Sequence, residues 1–452
     1  MPFSAAASSP LPRTSSVLRA LSPLERGLWR VTQEVPFNVV GMAELRGPLT
    51  ESLLRDAWAC LSARHALLRA RVQGPIRLRY ELHDRIPLVL RRLPRRDAQS
   101  WQAEAEALMD EDFSAGDGSL VRASWLEGDG VHTLILCIHH AIVDGRTLVT
   151  RLQEWVRCCQ QLLRGEQPDR APVPTPPALD QRRSSLTEDP TQLEQVLRYV
   201  VRSPATRVLR RVHSLALESE ENPRLRRSRL VHRRLTRAET QALRLRARAE
   251  GTTLQGVLLA SMLWAARQEL DEPGPLMLAG YSAVDLREQL EPSPGDAMGL
   301  FVSQVTTWHS VKPEQSLWSL AREVRQQLQQ RLSEGEAWFT FPLTGYLVPP
   351  VPLGGRFFLH LFSRLNPVTL GVSNLGAVTS LAVDPASPLQ LEQVHACVSL
   401  SMVGGFGMLA STFDEQLSLN FLYQTPVVSE PRAEALASRA HAMLQGALHE
   451  QS

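Results

Sequence analysis

The chain has 452 residues, a length that fits about three domains or two large lobes. Its hydrophobic fraction of 43% and charged fraction of 21% are ordinary for a soluble protein with buried cores. Basic and acidic residues nearly cancel, 49 Lys+Arg against 47 Asp+Glu for a net charge of +2, which argues against a general nucleic-acid or polyanion binder. Lys312 is the only lysine, an arginine bias read as compositional.

In chain order, Met1–Ser16 holds one arginine and no apolar core, so it is read as a disordered lead-in rather than a secretory signal, with the tail set at residues 1–17. The spacing predicts a helix over Pro23–Gln33, a strand over Phe37–Leu45 and an amphipathic helix over Ser52–Arg64. Strands are expected at Ile76–Leu82, Leu120–Leu126 and His132–Ile138, with a helix around Gln99–Met109. Leu148, Leu152, Trp155, Val156 and Cys159 recur at helical spacing within Arg146–Leu163. Pro168, Pro172, Pro174, Pro176 and Pro177 then predict an extended connection, followed by a helix over Thr191–Val201.

Alternation resumes with a strand at Arg229–Leu235 and helices at Ala238–Ala249 and Leu254–Glu269. Strands at Leu276–Tyr281 and Val302–Trp308 precede a helix at Leu317–Leu332. Short strands at Cys397–Met402, Met408–Phe413 and Gln416–Tyr423 lead to a last helix at Glu430–Leu448. The halves are alike in kind and size, so the pattern predicts an α+β protein of two lobes, 18–167 and 228–452, joined by a crossover at 168–227. An interlobe cleft is the default place for a ligand.

The cysteines, Cys60, Cys137, Cys158, Cys159 and Cys397, are odd in number, scattered and without a CxxC pair. Neither a disulfide framework nor a zinc site is indicated, and a reducing cytoplasm is expected. The longest apolar run, Val257–Ala266, is broken by Ser261 and falls far short of the ~20 residues of a membrane span.

The segment richest in chemistry is His139-His140-Ala141-Ile142-Val143-Asp144-Gly145, placed after a buried-looking strand and before a long helix. Side chains on a short loop at a strand end are well fixed and still reachable. Adjacent histidines point in different directions and no HExxH-like spacing completes a ligand set, so no metal is expected. A histidine that titrates near neutrality suits general-base work on a hydroxyl or amine. Gly145 permits a sharp chain reversal.

His139 through Gly145 resembles the HHxxxDG motif of the condensation-domain and chloramphenicol-acetyltransferase-like superfamily, in particular its free-standing polyketide-associated and alcohol acyltransferases. Four further segments agree in order: Leu21–Arg26 with the opening helix, His65–Ala70 with an HPLLR segment (Ala66 replacing Pro), Ser282–Arg287 with a strand end that supplies a buried arginine, and Val372–Gly376 with an SNLG segment. No DFGWG segment of the plant-type branch is present.

The resemblance implies two acetyltransferase-like lobes in a V-shaped pseudo-dimer with an interlobe active-site tunnel. It implies His140 as the catalytic base, His139 as packing and orienting the loop, Gly145 as keeping the loop tight, and Asp144 as pairing with Arg287 from the other lobe. Ser373 and Asn374 are candidate donors to an oxyanion or substrate. No bound cofactor is implied; the donor substrate would be acyl-CoA or a phosphopantetheinyl acyl carrier protein. The acceptor would be a small-molecule alcohol, giving an ester of a lipid or secondary metabolite. Amide formation from an amine, as in a free-standing condensation domain, stays open, as does a catalytically silent carrier-binding member. A monomer that binds no nucleic acid and spans no membrane is expected.

Gly280-Tyr281-Ser282 does not complete a GxSxG elbow, and Gly404–Gly407 lacks a phosphate-loop pattern. Arg202–Glu250 holds 14 arginines against 5 acidic residues, an excess of +9, either a solvated surface or a docking face for an acidic carrier or coenzyme A phosphates.

Overall fold

Ser22 starts the first helix. Its hydroxyl accepts the Glu25 N–H while the Glu25 carboxylate accepts the Ser22 N–H, a capping box with Pro23 in the first turn. The same logic recurs in the second half, where Thr236 and Glu239 cap a helix reciprocally.

A computed structural model describes residues 15–84, 86–113, 119–181, 194, 212–219, 221–338, 340–365, 370–378, 381–382, 384–400 and 405–448. In order the elements are β1 (Ser15–Ala20), α1 (Pro23–Thr32), β2 (Asn38–Arg46), α2 (Glu51–Arg64), β3 (Ala70–Gln73), β4 (Arg79–His83), β5 (Leu90–Pro94), α3 (Ser100–Met109), β6 (Val121–Glu127), β7 (Val131–His139) and α4 (Gly145–Leu163). The second half holds β8 (Arg227–Leu235), α5 (Arg237–Ala249), α6 (Leu254–Leu270), β9 (Leu276–Asp285), β10 (Val302–Val311), α7 (Leu317–Ser333), α8 (Thr340–Leu347), α9 (Gly354–Leu365), β11 (Leu370–Ala377), β12 (Gln390–Val398), β13 (Phe406–Phe413), β14 (Gln416–Thr425) and α10 (Glu430–Gly446).

The first lobe is built on a five-stranded sheet of order β12-β2-β7-β6-β5, the second on a six-stranded sheet of order β10-β9-β11-β13-β14-β8. Pairing is antiparallel except at β5–β6 and on both sides of β11. A small sheet, β1-β4-β3, lies beside the first lobe. One core gathers α2, α3, α4 and the five-stranded sheet, and a second gathers α6, α7, α10 and the six-stranded sheet. This is the two-lobed α+β architecture expected.

Several local expectations change. Ser15, Ser16 and Val17, placed in the tail, pair with His83, Leu82 and Glu81, so an edge strand forms by backbone bonding with little apolar content. The strand expected from Ile76 starts at Arg79, because Gly74 at φ +106° and Pro75 turn the chain and leave Ile76 exposed. The strand expected at Cys397–Met402 is displaced to Gln390–Val398 and pairs with β2 of the first lobe, Val394 opposite Ala43. Thus a segment of the second half completes the first lobe's sheet. The helix expected over Thr191–Val201 lies outside the described residues except for Glu194. All five cysteines are free and buried.

Candidate active site at the lobe interface

β7 carries the motif to the interface. It is buried along Ile135–His139 and pairs with β2 on one side and β6 on the other, so its end is held from both flanks. Past that end the chain turns, and Asp144 caps α4 by accepting the Thr147 N–H at 2.8 Å.

The two histidines part there. His139 turns into the first lobe's core, 5.2 Å from the Trp29 ring and 5.9 Å from that of Phe113 between centroids. Its Nδ1 accepts the Ala141 N–H at 3.1 Å, so Nε2 carries the proton and donates to Thr32 Oγ1 at 2.8 Å. Burial, with a smaller push from His140, lowers its pKa to about 3 and keeps it neutral.

His140 faces the cleft. Its ring stacks on Phe37 with centroids 4.4 Å apart, and its backbone N–H donates to Phe37 O at 3.1 Å. Nδ1 lies 2.8 Å from the Val143 carbonyl, which can only accept, so Nδ1 holds the proton and Nε2 is the basic nitrogen. Burial lowers its pKa against smaller opposing contributions from backbone hydrogen bonds and Asp144. A neutral imidazole of fixed tautomer is the form a general base needs.

Asp144, 2% exposed, joins the lobes. Arg287 follows β9, and its Nη2 lies 2.7 and 2.8 Å from the two Asp144 oxygens. The Phe301 N–H donates to Asp144 Oδ2 at 2.8 Å. Burial alone would raise the Asp144 pKa; the Arg287 charge and the hydrogen bonds outweigh it and hold the carboxyl below its usual range. The pair is not the two-nitrogen fork that an Arg–carboxylate match suggests. Nη1 instead reaches Asp285 Oδ1 at 2.9 Å, Nη2 also donates to Thr147 Oγ1 at 2.5 Å, and the guanidinium carbon sits 4.8 Å from the Phe301 ring centre. Asp285 in turn accepts from Arg146 at 2.5 Å. Two acids and two arginines, drawn from both lobes, form one latch.

Gly145 has no positive φ; its smallness serves a close approach, since a Cβ there would fall 2.7 Å from Leu375 Cδ2 on β11. Ser373 and Asn374, also on β11, line the cleft opposite the first lobe. Asn374 Oδ1 accepts the Gly376 N–H at 2.9 Å, which leaves the Asn374 NH2 as its donor. The cleft encloses about 120 Å³ of water-accessible space, bounded by Phe37, Val39 and His140 from the first lobe and by Tyr281, Gln304 and Ser373 from the second. Ser399, just past β12, accepts the Asn38 N–H at 2.8 Å and so fixes the backbone beside Phe37.

Sequence reasoning missed Phe37, Asp285, Thr147, Phe301 and Ser399. Asp285 alone had a readable signal, because it stands two residues before Arg287. Among the described residues no group of three or more His, Cys, Asp or Glu could hold a metal ion, and no helix is long and apolar enough to cross a membrane.

This cleft can be set beside known proteins. Residues 224–422 match the family described as the C-terminus of phthiocerol/phthiodiolone dimycocerosyl transferase. No curated protein matches the chain in sequence. In structure it is similar to polyketide synthase associated protein 5 from Mycobacterium tuberculosis, at 17% identity and a TM-score of 0.68 over 97% of this chain and 99% of that one. It is also similar to trichothecene 15-O-acetyltransferase from Fusarium sporotrichioides, at 12% identity and a TM-score of 0.70 over 96% of each chain. The epimerization domain of the third module of tyrocidine synthetase B aligns at 16% identity and a TM-score of 0.64 over 99% of this chain and 98% of that one. The chain thus has the two-lobed fold of these proteins, and its residues 224–422 are similar to that transferase C-terminal family.

Proposed function

We propose that the protein is an acyltransferase that moves an acyl group from an acyl-CoA or acyl-carrier-protein thioester to an acceptor hydroxyl. The observation that carries this reading is the His140 ring, kept neutral by burial, fixed in one tautomer by Val143 O and stacked on Phe37 at the wall of the interlobe cleft. In the reaction, Nε2 takes the hydroxyl proton as the acceptor oxygen attacks the thioester carbonyl. The tetrahedral intermediate then collapses, the C–S bond breaks, and Nε2–H returns the proton to the departing thiolate. Ester and thiol are the products, and His140 regains its neutral form.

Ser373 and the Asn374 amide supply candidate donors for the oxyanion on the facing wall. Asp144 and Arg287 act by holding the His140 loop against the second lobe. His139, grouped with the catalytic residues by the motif, has both ring nitrogens engaged in the core and acts by positioning.

The acyl donor on a carrier would approach basic surface. Within 202–250, Arg224, Arg229 and Arg246 pair with Glu34, Glu106 and Glu250, and Arg233 and Arg237 with Glu434 and Asp414. Docking therefore rests on other exposed arginines there, such as Arg234, Arg244 and Arg248. Buried free cysteines fit a reducing cytoplasm.

The same base would serve an amine and form an amide, a second reading that rests on the same His140 geometry. Mass spectrometry of products from mixed acyl thioesters offered to pooled alcohols and amines tests both: esters support the proposal, amides the second reading, and free acid alone refutes each.

A further inference from the structure

The hairpin of α8 and α9 is covered on one side and carries exposed apolar side chains around its turn. Two glycines press it onto α1: a side chain at Gly345 would collide with the Leu24 backbone, and one at Gly355 with the Arg30 backbone. Behind them Phe358 and Leu359 join a core with Leu24, Leu28, Val31 and Phe37. The opposite face should then be polar, as on an ordinary surface helix. It is not. Of the twelve large apolar side chains that stand exposed among the described residues, five fall between 346 and 357: Tyr346, Leu347, Val351, Leu353 and Phe357, the last two 68% and 61% exposed.

The charge of this stretch is one-sided as well. Residues 340–365 contain no Asp or Glu and two arginines, Arg356 and Arg364; Arg356 is exposed beside Phe357. An acid-free segment that combines protruding apolar groups with arginine is complementary to anionic lipid headgroups over an acyl interior. We propose that the α8–α9 hairpin rests on an anionic lipid surface, with Leu353 and Phe357 entering the headgroup boundary and Arg356 among the phosphates. Both helices are too short to span a bilayer, so the contact lies in the interface plane. Phe37 belongs both to the core beneath the hairpin and to the cleft wall, so the lipid surface adjoins the site without being part of it. The inference does not rest on the acyl-transfer reading.

The test is co-sedimentation of the full chain with vesicles of phosphatidylcholine alone or mixed with phosphatidylglycerol. The wild type should sediment with the mixed vesicles and be released by added salt. The double variant Leu353→Ser, Phe357→Ser should bind about tenfold less or weaker still, with an unchanged melting temperature because both side chains are exposed. Arg356→Glu should weaken binding to the mixed vesicles roughly fivefold or more. His140→Ala should sediment as the wild type does, which separates this inference from the catalytic one. Wild-type protein left in the supernatant with both vesicle types would overturn the proposal, as would a double variant that sediments undiminished. So would light scattering that shows self-association through this face with no vesicle binding, since a second copy would then be the occupant.

Discussion

Replacing Arg287 by alanine strands a buried charge. Asp144 would lose both contacts with Nη2 while remaining 2% exposed, and keep only the Thr147 and Phe301 backbone donors. Breaking a buried pair costs roughly 3–5 kcal/mol, and the two retained donors argue for the lower end, about 3 kcal/mol. In a chain of this length that is a fall of about 3 °C in melting temperature. The pH dependence follows from the depressed Asp144 pKa. A carboxyl held low in the folded state stabilises above its unfolded value, about 3.9, and that stability is lost as pH falls through the folded pKa. The gap between wild type and variant should therefore be full at pH 7 and narrow as pH falls below ~4. Adding Asp144→Asn to Arg287→Ala removes the stranded charge, so the double variant should melt above the single one. Calorimetry at pH 7 and at about pH 3 reads all of this. An Arg287→Ala melting temperature equal to the wild type's, or a double variant destabilised by the full sum of the singles, would refute the latch.

Other outcomes follow from the same geometry. Gly145→Ala should cost about 1–2 kcal/mol by crowding Leu375, and pairing it with Leu375→Ala should destabilise less than the two singles added; strict additivity in denaturant melts counts against that contact. Because burial lowers the His140 pKa, the acid limb of the rate profile should have its midpoint below ~6.5, and a midpoint above that value would contradict a buried base. His139, at about 3, and His395, well below its ordinary value, both resist protonation when folded. Stability should therefore fall as pH drops from ~6.5, where the unfolded chain starts to bind those protons. His395→Phe should flatten that slope, and an equal slope in both proteins would discount the histidine. Transfer from an acyl carrier should weaken with added salt if the exposed arginines of the 202–250 stretch dock it; a salt-insensitive rate would remove them from the account.

The parts of this fold that read well from sequence are those built by local periodicity. The helices α2, α4, α6 and α7 fall within a residue or two of their apolar spacing, as do the buried strands β6 and β7. β12 could not be read, because its partner β2 lies about 350 residues earlier and its polar positions, Gln390, Glu392 and Gln393, hide the pairing. The α8–α9 hairpin was equally silent: α8 is apolar all round and shows no helical stripe, and Pro349, Pro350 and Pro352 break the pattern before α9 begins.

At the site, the compact run His139–Gly145 and Arg287 were legible through their order and spacing. What that spacing could not convey was orientation. The motif resemblance gave His139 a packing role and His140 that of the base, but nothing in the sequence showed that Arg287 would divide itself between Asp144 and Asp285. Backbone donors such as the Phe301 N–H carry no residue identity at all, and Phe37 became part of the site only because β2 runs beside β7.

The central claim is that His140 removes the acceptor proton in thioester acyl transfer. It is tested most directly by following thioester consumption and ester appearance in one turnover, with the wild type beside His140→Ala and His140→Gln. The account predicts ester from the wild type and a loss of roughly 10²–10⁴-fold in both variants, with calorimetry showing a cooperative melt that proves each variant folded. Ester formed by either variant at the wild-type rate would contradict it.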